Sequence, residues 1–277
     1  MGREKQRIIR DIKGKSLCLL LFILLIIGTS ACARTESAGD TASTEQGSEM
    51  AASVTTDAAT EPIIESTEPS VVLHSGLRED GSFDEGTWFI GDSMTCILIT
   101  DYLQPNEFIG EAAYTGKFGA HITAFFDDTV MSATSYNKCV FRPEHEGLGY
   151  DDVAKLLGEQ ATAIYMMWGT NYTWNAYADA YIEIVDFLLE TCPNATVHLQ
   201  LIPWGYEELV EFETVNEWIR EAYAHYQEMG EERVLLIDTF TAIGKNHDSG
   251  FIHLNYAGNE NWYNAIVEHA KSNDLSQ

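Results

Sequence analysis

Thr87-Trp88-Phe89-Ile90-Gly91-Asp92-Ser93 is a short apolar run closed by glycine and followed by two residues that favour helix caps. It predicts a strand over Thr87–Ile90 and a helix beginning near Ser93. The same grammar recurs downstream. Ala161–Trp168 is an apolar run bounded by Gly169-Thr170-Asn171, and Thr196–Ile202 and Arg233–Ile237 are further strand candidates. Between them, Tyr181, Ile184, Val185 and Leu188 recur at helical spacing within Tyr177–Leu189, and Pro193-Asn194 ends that pattern. Val215, Trp218, Ile219 and Ala222 mark a second amphipathic helix, and Trp262, Ile266 and Ala270 a last one. Strands alternating with helices argue for a mainly parallel sheet covered on both faces. In such folds ligands bind beyond the carboxyl ends of the strands, so one shared site is expected there.

The segments before Thr87 read differently. Met1–Lys15 is basic, with Arg3, Lys5, Arg7, Arg10, Lys13 and Lys15 against Glu4 and Asp11. An apolar run from Leu17 to Ile27 follows, then Gly28-Thr29-Ser30-Ala31-Cys32. A basic region, an apolar core and small residues at its end predict a secretory signal. The apolar run is shorter than the roughly 20 residues a spanning helix needs. Ser30-Ala31-Cys32 resembles the bacterial lipobox, although Thr29 stands where that pattern usually has leucine. The resemblance implies Cys32 as the lipidated first residue of an exported chain held at the extracytoplasmic face of the membrane. Residues 33–70 are rich in Ala, Thr, Ser, Glu and Gly without apolar periodicity, and such a segment cannot bury enough surface to offset its ordering entropy. A disordered spacer is expected there, with one globular domain over 71–277.

Charge excludes one class of partner. The 277-residue chain carries 16 basic and 43 acidic residues, a net −27, which becomes −31 once the six bases and two acids of Met1–Lys15 are removed. A field of that sign repels nucleic acid. Beyond Cys18 and Cys32, the cysteines are Cys96, Cys139 and Cys192, an odd number without CxxC spacing. This supports neither a disulfide framework nor a zinc site, so buried thiols are the expectation, with one pairing left open.

Three short pieces at predicted strand ends carry chemistry. Ser93 has a hydroxyl at the sheet edge and an N–H at a helix start, although a plain N-cap is the competing reading. Asn171 offers an amide that can donate to an oxyanion, or it serves only as a turn residue. It also opens a glycosylation sequon, as does Asn194, but a bacterial lipoprotein signal gives those matches little weight. His253, in Gly250-Phe251-Ile252-His253-Leu254-Asn255, is suited to take a proton near neutral pH, with His247 its nearest competitor.

Together Gly91-Asp92-Ser93, Gly169-Thr170-Asn171 and His253-Leu254-Asn255 resemble the blocks of the SGNH/GDSL hydrolases, a family of esterases and acylhydrolases. The resemblance covers roughly Thr87 to Ala270. It implies a flavodoxin-like, three-layer α/β/α sandwich with a mainly parallel sheet of about five strands. It implies Ser93 as nucleophile, His253 as base, and an oxyanion hole of the Ser93 N–H, a glycine N–H and the Asn171 amide, with no metal or organic cofactor. Within Tyr114-Thr115-Gly116-Lys117-Phe118-Gly119, Gly119 is favoured over Gly116 as that glycine. The family has aspartate three residues before its histidine, where this chain has Gly250, so Asp248 can orient His253 only if the loop bulges.

The expected activity is hydrolysis of small-molecule or glycan esters at the cell surface. Acyl transfer to a glycan hydroxyl uses the same residues. A binding protein with an impaired site is the alternative that Gly250 favours. Trp88, Trp168, Trp174 and Trp204 lie near strand ends and either stack on sugars or pack in the core. Oligomeric state has no signature in the sequence.

Overall fold

A computed structural model describes residues 71–126, 131–132, 138–171, 178–203, 212–244, 253–273 and 275. Residues 1–70, where a signal segment, the lipidation candidate Cys32 and a spacer are expected, lie outside the described residues, as do Trp174, Trp204, His247, Asp248 and Gly250.

Six strands form one sheet: β1 (Thr87–Gly91), β2 (Ala113–Lys117), β3 (Cys139–Phe141), β4 (Ala163–Met167), β5 (Thr196–Gln200) and β6 (Val234–Ile237). Their order is β3-β2-β1-β4-β5-β6. All neighbouring pairs are parallel except β2–β3. The expected sheet of about five strands is thus five parallel strands plus a three-residue antiparallel edge. That edge, three half-buried apolar residues, is too short to stand out as a strand. The strand order grows outward from β1 in both directions, so the crevice of the topological switch opens above β1.

The central strands β1, β4 and β5 are buried at every position, which requires cover on both faces; β1 and β4 accordingly read as apolar runs, while β5 alternates and buries Thr196, His198 and Gln200. On one side pack α2 (Tyr150–Leu157), α3 (Ala178–Thr191) and α4 (Phe212–Met229). On the other, α5 (Thr239–Ile243) and α6 (Tyr256–Ser272) pack together, and α6 also meets α1 (Ser93–Ile97) where it runs on as a π-helical turn, Leu98–Leu103. In α3 the buried residues are Tyr181, Ile184, Val185 and Leu188, the stripe expected from spacing. Among the described residues no helix is long and apolar enough to cross a membrane.

Trp88 and Trp168 are wholly buried, so they belong to the core and are closed to a sugar ring. Cys96, Cys139 and Cys192 are free thiols. At the end of β1, a Cβ on Gly91 would sit 2.0 Å from the Met167 carbonyl oxygen and 2.2 Å from Thr95 Oγ1. Only glycine lets β1 end this close to β4.

A stack of flat side chains crosses the α6 face of the sheet. Phe89 lies on Tyr165 with ring centroids 5.0 Å apart, and Tyr165 lies on His198 at 4.5 Å. His198 Nε2 donates to the His74 carbonyl at 2.8 Å, its Nδ1 has no partner among the described residues, and His269 meets its ring edge-on at 5.5 Å. Burial pushes the His198 pKa down to about 3, with His269 adding to the shift.

The folded state therefore keeps His198 neutral while the unfolded chain, near pKa 6.5, takes up a proton on acidification. Stability from this residue is complete above about pH 6.5 and is lost as pH falls towards 3, at a slope approaching ~1.4 kcal/mol per pH unit. Denaturant midpoints measured from pH 7 to pH 4 should fall less steeply for His198→Gln than for the native chain.

Candidate active site

Ser93 is the first residue of α1 and Asp92 is its N-cap, with extended backbone at φ −92° and ψ −154°. Asp92 is fully buried. One carboxylate oxygen accepts the Met94 N–H at 2.9 Å, and the other accepts the Thr170 N–H at 3.1 Å and the Thr170 hydroxyl at 2.6 Å. Burial pushes the Asp92 pKa up, while the bonds from Thr170 and Met94 pull against it. The Asp92 N–H in turn donates to the Met167 carbonyl at 3.3 Å. Asp92 thus ties the exit of β1 to the exit of β4, which places Ser93 and Asn171 on the same edge. The residue beside Ser93 is the organising element, a role that reading it as a helix cap alone does not convey.

His253 comes from the opposite end of the chain, just before α6. Asn255 caps that helix, its side chain accepting the Gly258 N–H at 2.8 Å. His253 Nε2 lies 3.1 Å from Ser93 Oγ. Ser93 is 5% exposed, and the Phe118 ring stands edge-on to the imidazole at 5.7 Å. The structure therefore brings two of the three sequence-predicted catalytic side chains into hydrogen-bond contact. Asp248 lies outside the described residues.

The Asn171 Nδ2 is buried and has no hydrogen-bond partner among the described residues. A buried donor left free costs about 1–3 kcal/mol, which marks a position where an acceptor is missing. Of the two candidate glycines, Gly116 lies within β2, opposite Gly91 on one side and Val140 on the other, and is packed against Cys96 Sγ. Gly119 lies beyond the strand at φ +75°, a conformation that favours glycine, and its N–H has no hydrogen-bond partner among the described residues. Of the pair, the structure leaves Gly119 available as a donor.

His121 carries no signature in the sequence, because an isolated histidine two residues beyond a glycine has no diagnostic spacing. Its Nδ1 hydrogen-bonds the Asn171 backbone carbonyl. Among the described residues no cluster of three or more His, Cys, Asp or Glu side chains is arranged to hold a metal ion.

No family model and no curated protein sequence matches the chain. Solved structures do. A family two carbohydrate esterase from Clostridium thermocellum, in complex with cellohexaose, is similar at 14% identity with a TM-score of 0.48, over 68% of this chain and 63% of that one. A member of the lipolytic protein G-D-S-L family from Veillonella parvula is similar at 16% identity and a TM-score of 0.44, over 66% and 96%. A carbohydrate esterase family 3 structure from Talaromyces cellulolyticus is similar at 17% identity and a TM-score of 0.42, over 69% and 99%.

The Asp92 network yields a stability prediction. In Asp92→Asn one acceptor oxygen becomes an NH₂ group facing N–H or O–H donors, so at least one buried bond is lost. Unfolding by denaturant should show a loss of about 2 kcal/mol or more, the range for a buried group left unsatisfied.

Proposed function

We propose that this chain is a serine esterase of the SGNH/GDSL type that acts on carboxylic esters outside the cytoplasm, with O-acyl groups on glycans as the favoured substrate class. One observation carries the reading: the 3.1 Å approach of His253 Nε2 to Ser93 Oγ, made across 160 residues of sequence. A hydroxyl at that distance from an imidazole can pass its proton as it attacks.

In the proposed reaction Ser93 Oγ attacks the ester carbonyl carbon while His253 Nε2 takes the hydroxyl proton. The carbonyl oxygen becomes an oxyanion, held by the N–H groups of Ser93 and Gly119 and by the Asn171 amide. A donor of this kind is worth about 10²–10³ in rate, because it is aimed in advance at charge that develops only in the transition state. The intermediate collapses to an acyl-enzyme as His253 protonates the leaving alcohol. Water, deprotonated by His253, then releases the acid and restores Ser93. An acceptor on the second imidazole nitrogen would fix the tautomer, and Asp248 is the residue proposed for it.

Lipidation at Cys32 would hold the enzyme at the outer face of the membrane on the spacer of residues 33–70. One acyl chain gives only marginal membrane binding, so stable anchoring needs more than one chain on that cysteine. This position brings cell-wall and environmental glycans within reach and suits a strongly acidic, well-solvated domain.

Hydrolysis of p-nitrophenyl acetate by the full chain tests the chemistry. Ser93→Ala and His253→Ala should each lower kcat/KM by about a thousand-fold or more, and a serine-reactive phosphonate should label Ser93 in the native chain alone. Equal slow turnover by native chain and Ser93→Ala, with no labelling, would sink the esterase reading. For the anchor, Cys32→Ser should move the protein from the membrane to the soluble fraction, and mass spectrometry should find the native chain beginning at an acylated Cys32.

A further inference from the structure

Two of the proposed oxyanion donors are carried by segments that the sheet does not join. Gly119 follows β2 and Asn171 follows β4, while β1 runs between those strands. The ladder couples each to β1 and neither to the other. A misplacement of 1 Å at such a site can cost about 10²-fold in rate, so the two segments need a common reference. Asp92 supplies it for the Asn171 side, through Thr170. On the Gly119 side the corresponding link is His121.

His121 caps a short 3₁₀ turn, Ile122–Phe125, with extended backbone at φ −85° and ψ 160°. The turn is anchored below by buried Ile122 and Phe125, and Phe125 stands edge-on to Trp168 at 6.1 Å. From this fixed root the imidazole reaches across, and Nδ1 bonds to the Asn171 carbonyl. Among the described residues it is the one hydrogen bond between 118–126 and 168–171. We infer that His121 is a positioning residue, clamping the Gly119 loop to the Asn171 turn so that both donors converge on one oxyanion. This rests on the esterase reading above.

The chemistry of the clamp is specific. A carbonyl oxygen only accepts, so the bond requires a proton on Nδ1. Neutral His121 is then the Nδ1–H tautomer, and the imidazolium keeps the same donor. The clamp therefore survives protonation, unlike a general base, which protonation abolishes. The Asn171 Nδ2 has no partner of its own among the described residues, so its aim follows from how the backbone of that residue is held.

The test is steady-state hydrolysis of p-nitrophenyl acetate by the full chain. His121→Ala should lower kcat 10- to 100-fold with KM within about 3-fold, because the lost alignment matters in the transition state. The deficit should be constant from pH 6 to pH 8. His121→Asn places an amide donor where Nδ1 was and should recover most of the loss, whereas His121→Gln places it where Nε2 was and should not. Since His121 acts in part through the aim of the Asn171 amide, the deficits of His121→Ala and Asn171→Ala should combine to less than their product. If His121→Ala does not fold, the contrast between His121→Asn and His121→Gln decides.

The clamp is overturned if His121→Ala retains full kcat, if the two alanine deficits multiply, if the deficit follows an imidazole titration, or if Asn and Gln behave alike. Those outcomes leave the esterase intact as long as Ser93→Ala is inactive. A native chain no faster than Ser93→Ala overturns both.

Discussion

A carboxylate buried between two strand ends holds this site together. Asp92 has no solvent, and a charge so placed is costly unless every lone pair is met. Here the donors are the N–H of Met94 and the N–H and hydroxyl of Thr170. They come from the segments leaving β1 and β4, so satisfying the carboxylate and aligning the two loops are one event. The close approach at Gly91 makes this possible, since any Cβ there would push β1 away from the Met167 carbonyl. Ser93 and Asn171 each sit one residue from a group that Asp92 holds.

The parallel core was legible because its strands are buried on both faces. Thr87–Gly91 and Ala163–Met167 keep the apolar runs that a doubly covered strand needs, while Thr196–Gln200 alternates and buries Thr196, His198 and Gln200. β2 was not legible as a strand. Its sequence, Ala113-Tyr114-Thr115-Gly116-Lys117, sets three poor strand formers, alanine, glycine and lysine, around tyrosine and threonine, and its pairing with β1 overrides that mixed local preference. β3 has only three residues, all half-buried, and exists because it follows β2 back along the edge. α2 is short, and its N-cap, Gly149, offers no side-chain bond to announce it.

The site was legible in its parts and not in its wiring. Ser93, Asn171 and His253 stood out as residue types at strand ends, which is where the structure places Ser93 and Asn171. The cap reading of Gly-Asp-Ser and the nucleophile reading turn out not to compete: Asp92 is the cap and Ser93 is the residue after it. The links through Thr170 and His121 left no trace in the sequence. They depend on two loops meeting over β1, a distance of 78 residues for Asp92–Thr170 and 50 for His121–Asn171.

The same device stands beside Ser93, at His121 and beside His253. Asp92, His121 and Asn255 are all first caps of helical turns, and all have extended backbone, with ψ of −154°, 160° and 179°. A cap fixes the angle at which chain enters a helix, because its side chain or carbonyl is committed to the first turn. At Asp92 and Asn255 the side chain binds a first-turn N–H, and at Asn255 the carbonyl also receives the N–H of Asn259 at 3.0 Å. At His121 the carbonyl receives the Ala124 N–H at 2.9 Å, which leaves the imidazole free to cross to Asn171. Ser93, His253 and His121 thus each lie at the entry to a helical turn. A helix whose buried face is locked to the sheet has one orientation, so its entry point is as rigid as the core. That rigidity is what a 3.1 Å approach between residues from opposite ends of the domain requires.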